Sequence, residues 1–173
     1  MYETEADLAW LQELLDRSYA GAGEHLKSIT TPARRIPAAE LGPLLPGVQI
    51  IDVATVTAAG HPRVGPVDGL FFKGRFYFGS SKGSLRFRNL RARPQVSAAH
   101  VRGEEISVVV HGSARLFSLV DPDRADFRSY CEEVYVPRYG EGWKDFAGAD
   151  DVFYAVIEPE LMFTFRMDEP RLA

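Results

Sequence analysis

Ile106-Ser107-Val108-Val109-Val110-His111-Gly112-Ser113-Ala114-Arg115-Leu116-Phe117 alternates with period two. Ile106, Val108, Val110, Gly112, Ala114 and Leu116 fall on one face, and Ser107, His111, Ser113 and Arg115 on the other. An alternation sustained over eleven residues predicts a strand with one face on a core. Upstream, Gln95 to Val101, Arg75 to Gly79, Arg63 to Phe72 and Ile50 to Thr57 read as further strands. Ala59-Gly60 and Lys73-Gly74 supply tight turns between them. Downstream, Asp121 caps a helix from Pro122 to Val134, an aromatic, Gly-rich loop spans 135–146, and Val152 to Ile157 and Leu161 to Met167 form a strand pair or one strand broken at Pro159. Six or so short antiparallel strands with tight turns predict a mainly β protein, a small closed or split barrel with peripheral helices.

Ahead of the strands the period is helical. Thr4 and Asp7 make a capping box before Leu8, Leu11, Leu14, Leu15 and Tyr19; Gly21 and Gly23 end that helix. A second helix is expected from Pro37 to Leu45, stopped by Pro46 and Gly47. Residues 1–46 therefore read as a helical prefix packed on a barrel of residues 47–173, in one structural domain. A chain of 173 residues, 46% hydrophobic and 25% charged, fits that size. Its net charge of −4 speaks against wholesale binding to nucleic acid or membrane. The acidic start resembles no signal peptide, no apolar run approaches a membrane span, and Cys131 is the single cysteine, so a cytoplasmic protein is expected.

The charge is unevenly spread. Residues 61–93 hold eight Lys or Arg and one acid, Asp68. Within them, Lys82, Arg86, Arg88, Arg91 and Arg93 crowd one short predicted helix that Pro94 stops. Ser84 is a good N-cap, and a helix start with exposed amides and flanking cations is an anion site. The bland alternative is a solvated helix face. Ser80 and Ser81, just before it, either reach the same anion or satisfy loop amides.

Several spacings then fall into one order: Gly60-x-Pro62-x-x-x-Pro66-Val67, Phe76-Tyr77-Phe78, Ser84-x-Arg86-x-x-Asn89-Leu90, Pro94-x-Val96 and Gly112-x-Ala114. Together they resemble the pyridoxamine 5′-phosphate oxidase-like family of split-barrel flavoproteins, over roughly residues 44–120. The resemblance implies a six-stranded Greek-key split barrel, a homodimer, and FMN in clefts between subunits. By the same resemblance Arg63, Ser84 and Arg86 hold the phosphate or ribityl chain, Val64, Gly65 and Val67 back the ring, and Ser80 and Ser81 lie nearby. The family often has Lys where this chain has Arg86, which keeps the charge and adds a bidentate fork. The chemistry would be the flavin's own, so no nucleophile is required and no catalytic residue is assigned.

Other readings stay open. The deazaflavin F420 also pairs a tricyclic ring with a phosphate-bearing tail. A non-catalytic flavin or haem carrier on the same fold needs no substrate site. An oligonucleotide platform built on Phe71, Phe72, Phe76 and Phe78 is weakened by parity, because Phe76 and Phe78 share a face and one set must be core. His61, His100 and His111 lack metal-ligand spacing, and no metal site is expected. Asp68, before Gly69, is a turn or bulge former or else a polar group near ring or substrate. Tyr135, Tyr139, Trp143 and Phe146 form either a buried dimer patch or a substrate-side lid. The terminal Arg171-Leu172-Ala173 faintly echoes true pyridoxamine-phosphate oxidases but is too short to carry specificity.

Overall fold

The computed structural model describes residues 2–167, so Arg171, Leu172 and Ala173 lie outside the described residues. Six antiparallel strands, β1 (Val48–Val56), β2 (Pro62–Phe72), β3 (Arg75–Ser81), β4 (Gln95–Arg102), β5 (Ile106–Phe117) and β6 (Val152–Arg166), close a barrel in the order β1-β2-β3-β6-β5-β4. The β2–β3 hairpin turns on Lys73 and Gly74, both at positive φ (47° and 77°), the backbone a two-residue hairpin demands. Asp68 and Gly69 make no turn; both sit inside β2, opposite Ile50 and Gln49. Beyond β3 the chain crosses through α4 (Leu85–Ala92) to β4, which closes on β1 through only three residue pairs, Asp52 to Ala54 with Ser97 to Ala99.

β6 is one 15-residue strand rather than a broken pair. Its first part pairs β3, and twelve residues of β5 pair along it from Tyr154 to Arg166. The register shifts between His111 and Gly112, where Pro159 lies opposite and offers no N–H. A Cβ on Gly112 would lie 2.1 Å from the Glu158 carbonyl oxygen, so only glycine fits there.

Two apolar cores flank the sheet. The barrel interior holds Ile51, Val53, Phe71, Phe76, Phe78, Val108, Val110 and Ile157, with Phe87 and Leu90 from α4. The second core covers the outer side of β2, β3 and β6 with α5 (Ala125–Tyr139) and α6 (Gly142–Ala147). There Tyr77 stacks on Phe127 with centroids 4.0 Å apart and planes 23° from parallel. The expected loop of 135–146 is thus the end of one helix and the whole of another. Burying the Tyr135 and Trp143 rings carries α5 past Pro137 to Gly140, whose positive φ ends it.

The N-terminal helices share the barrel's core. α1 (Glu5–Ala20) starts at the Thr4–Asp7 capping box and buries Leu11, Leu14, Leu15 and Tyr19 in the interior cluster. α3 (Ala38–Leu44) adds Leu41, while α2 (Glu24–Ile29), which the sequence pattern does not announce, buries nothing. Past Ile157, β6 has β5 along one edge; hydroxyls cover the other. Met162 N donates to Ser18 Oγ (3.0 Å) and Thr164 N to Tyr19 Oη (2.7 Å), while Tyr19 Oη donates to Thr164 O (2.5 Å). Thr164 Oγ1 in turn accepts from Ile36 N (2.9 Å) and donates to Ile36 O (3.0 Å).

Tyr19→Phe leaves Thr164 N buried and unpaired, so a loss of about 1–3 kcal/mol is expected in chemical denaturation, with an unchanged m-value. A loss below a few tenths of that would assign the edge another partner. Glu158 yields a pH prediction. Burial opposes its ionisation, but hydrogen bonds from Arg115 (3.1 Å) and Arg75 (2.9 Å) outweigh it and hold the carboxyl below its ordinary value of 4.5. Its stabilisation is therefore full above that value and lost as pH falls through the lower, folded one. Acid titrations followed by circular dichroism should show a shallower acid limb in Glu158→Gln.

Candidate functional site

The barrel is split beside α4. The β2–β3 ladder runs only from Gly69↔Phe78 to Phe72↔Arg75. Past it, β2 continues to Pro62 on β1 and β3 continues to Ser81 on β6, so the two edges part. The start of α4 enters this opening. Ser84 is its N-cap, accepting from Phe87 N at 3.2 Å, and Asn89 ties the helix to β1 by donating to Thr55 Oγ1 at 3.1 Å. The first amides of the helix, Leu85 N and Arg86 N, have no intrahelical acceptor.

The cations of the basic stretch fall into distinct roles. Arg86 is half-buried and donates from Nη2 to Gly65 O at 3.1 Å, on the open edge of β2. Burial pushes its guanidinium below the ordinary value. Arg91 donates to Lys82 O (2.6 Å) and Arg93 to Val56 O (3.0 Å), and both Lys82 and Arg91 lie over the Phe153 ring. Arg63 and Arg88 are exposed. Among the described residues, none of these cations has a carboxylate within ion-pair distance.

Strand parity divides the expected site residues. Arg63, Gly65 and Val67 pair with Thr55, Val53 and Ile51 on the interior side of β2, where Gly65 meets Arg86; a Cβ on Gly65 would lie 3.1 Å from that guanidinium. Val64 points the other way with Pro66 and Asp68 and is 72% exposed. The expected backing surface of Val64, Gly65 and Val67 is therefore two faces of one strand. Ser84 Oγ is engaged by its own helix. Ser81 is exposed, and Ser80 reaches a cleft on the far side of the split.

That cleft, of about 520 Å³, lies between the outer face of the sheet and α5–α6. Asp68, Gly79 and Ser80 form one wall; Tyr135, Tyr139, Trp143 and Phe146 form the other, with Tyr154 at the base. Gly79 is held to the Tyr154 ring, which a Cβ would approach to 3.2 Å. Burial, then neighbouring Cys131, and more weakly Asp68, push the phenols of Tyr135 and Tyr154 well up, so both stay protonated. Tyr154 was invisible to sequence reasoning as a cleft residue, because only the β3–β6 register puts it beside Gly79. The histidines stay apart from the cleft: His111 Nδ1 meets Ser97 Oγ (2.8 Å) and His100 Nδ1 meets Ile50 O (3.0 Å). Among the described residues no three His, Cys, Asp or Glu side chains converge as metal ligands.

Residues 38–162 match the family model described as Pyridoxamine 5′-phosphate oxidase. Among solved structures, a conserved hypothetical protein of Mycobacterium tuberculosis superposes with a TM-score of 0.67 at 17% identity, over 82% of this chain and 94% of that one. The haem storage protein of Vibrio cholerae gives 0.58 at 20% identity, over 70% and 90% of the two chains. An F420 reductase gives 0.50 at 19%, over 69% and 93%. At these identities the likeness is one of fold. No curated protein gives a significant match.

A half-buried cation without an acid partner predicts an anion. Inorganic phosphate should raise the thermal midpoint of the protein, and Arg86→Ala should abolish that rise. Arg91→Ala, whose guanidinium is tied to Lys82 O, should keep it. Equal phosphate responses in the two variants would place the anion elsewhere.

Proposed function

The chain belongs to the pyridoxamine 5′-phosphate oxidase family, and from that premise we propose that it is a flavin-dependent oxidoreductase acting on a small molecule, with FMN as its cofactor. One observation carries the proposal: Arg86 is a half-buried, carboxylate-free guanidinium at the mouth of the barrel, beside the free amides of α4. Buried charge without a partner is costly, and a dianionic phosphate would discharge that cost. Gly65 O already orients Arg86 and leaves its other N–H groups available. Arg63, two residues from Gly65 and on the same face of β2, adds exposed positive charge on that side.

When bound, the flavin supplies the hydride or electron chemistry. The chain's part is to hold the phosphate, exclude water with the α5–α6 wall, and present the neutral hydroxyls of Tyr135 and Tyr154 as donors. F420 meets the same anion site with a different ring, and a carrier of flavin or haem would use the fold without turnover.

We also assign a homodimer. Ile50 (56% exposed), Val64 (72%) and Val101 (61%) stand on the outer face of β1, β2 and β4, which adjoin in the order β2-β1-β4. An apolar sheet face of this kind is normally covered.

The absorption spectrum and mass of the cofactor released from purified protein separate FMN, F420 and haem. In a flavin titration Arg86→Ala should weaken binding tenfold to a hundredfold, from a charge-assisted bond of roughly 1.5–3 kcal/mol. Unchanged affinity would remove the assignment. Sedimentation should show a dimer that Val64→Asp converts to monomer; a wild-type monomer with full flavin affinity would contradict a shared site.

A further inference from the structure

The cleft beside α5–α6 has one-sided chemistry. Five of its lining residues, Tyr135, Tyr139, Trp143, Phe146 and Tyr154, are aromatic, Asp68 is the single charged one, and no Lys or Arg is among them. The rings form a continuous wall: Tyr135 stacks on Trp143 (5.1 Å, 20°) and on Tyr139 (6.0 Å, 27°). Asp68 is exposed and makes no ion pair or hydrogen bond within the described residues. Both π faces and a free carboxylate attract positive charge and repel anions. Of the chain's own nearby cations, Arg86 faces the interior side of β2, Lys82 and Arg91 lie over Phe153, and Arg138 covers the Tyr139 ring alone, so the rings of Tyr135, Trp143, Phe146 and Tyr154 and the Asp68 carboxylate have no cation of the chain set over them.

We propose that this cleft binds a planar organic cation, an aromatic or heteroaromatic ring carrying a positive charge, with Asp68 reading the charge and the α5–α6 rings reading the plane. The site thus divides by sign, anion at Arg86 and cation at Asp68. Calling this ligand the substrate rests on the flavin reading; the charge preference belongs to the cleft alone.

A charge series on one ring tests it: 1-methylnicotinamide (cation), nicotinamide (neutral) and nicotinate (anion), titrated calorimetrically into the protein as purified. The cation should bind about tenfold tighter than the neutral ring, with the anion weakest. Asp68→Asn should bring cation and neutral ring to within about threefold of each other, while Phe146→Ala should weaken all three and keep their order. Visible absorbance of the same samples reports flavin content. A protein that carries no flavin yet keeps the charge order fails the flavin reading and supports this one. Equal affinities, a preference for nicotinate, no saturable binding of the cation, or a preference that survives Asp68→Asn overturns it.

Discussion

Closure of this barrel hangs on the absence of a side chain at position 112. β6 has to serve β3 with its first residues and β5 along most of its length, and it passes Pro159 on the way. Proline gives the ladder nothing at that point, so the register steps by one with Glu160 of β6 left without a partner on β5, and the backbone of Glu158 moves into the space a Cβ would have filled. Glu158 then lies where Arg75 of β3 and Arg115 of β5 both reach its carboxylate, pinning the strands on either side of β6 at the same height. With β6 fixed in this way, β3 is committed to it and cannot follow β2 all the way down.

The opening between β2 and β3 is the outcome of that commitment. An opening in a sheet exposes backbone polar groups, and this chain meets them with a cation: Arg86 donates to the Gly65 carbonyl that β3 leaves unpaired. One guanidinium thus repairs a broken sheet edge and points its remaining donors outward. On the opposite side of the same opening, Gly79 lets the Tyr154 ring lie flat against β3, and the aromatic wall of α5–α6 stands over it. Two surfaces of opposite electrostatic character meet across a gap one strand wide.

Much of this was legible from the chain. Alternation shows β5 to the residue, because one face of that strand is buried in the barrel interior over most of its length while the other is only half-covered until Phe117 enters the second core. Ser84 and Pro94 bounded α4 correctly, since capping and proline chemistry are local. Residues 135–146 misled, because glycine and aromatic content reads as a loop, whereas the Tyr135 and Trp143 rings gain enough from burial to hold helix on both sides of Gly140. The site residues expected on β2, Arg63, Val64, Gly65 and Val67, lie along one strand and so necessarily alternate faces; only the pairing register tells which member joins Arg86. Of the cleft, the sequence marks the four rings of 135–146 and Asp68 as candidates but not their meeting with Tyr154, because the walls come from β2, β3, β6 and two helices.

The hydrogen bonds between Tyr19 and Thr164 join residues 145 positions apart. During synthesis α1 precedes β6 and carries Leu11, Leu14 and Leu15, which find only α3 and the early strands to pack on until the edge α1 covers has been made. At ordinary elongation rates of roughly 5–20 residues per second, that apolar stripe waits several seconds or more for its partner. The hydroxyl contacts between α1 and β6 therefore form late, after the strands between them have been made.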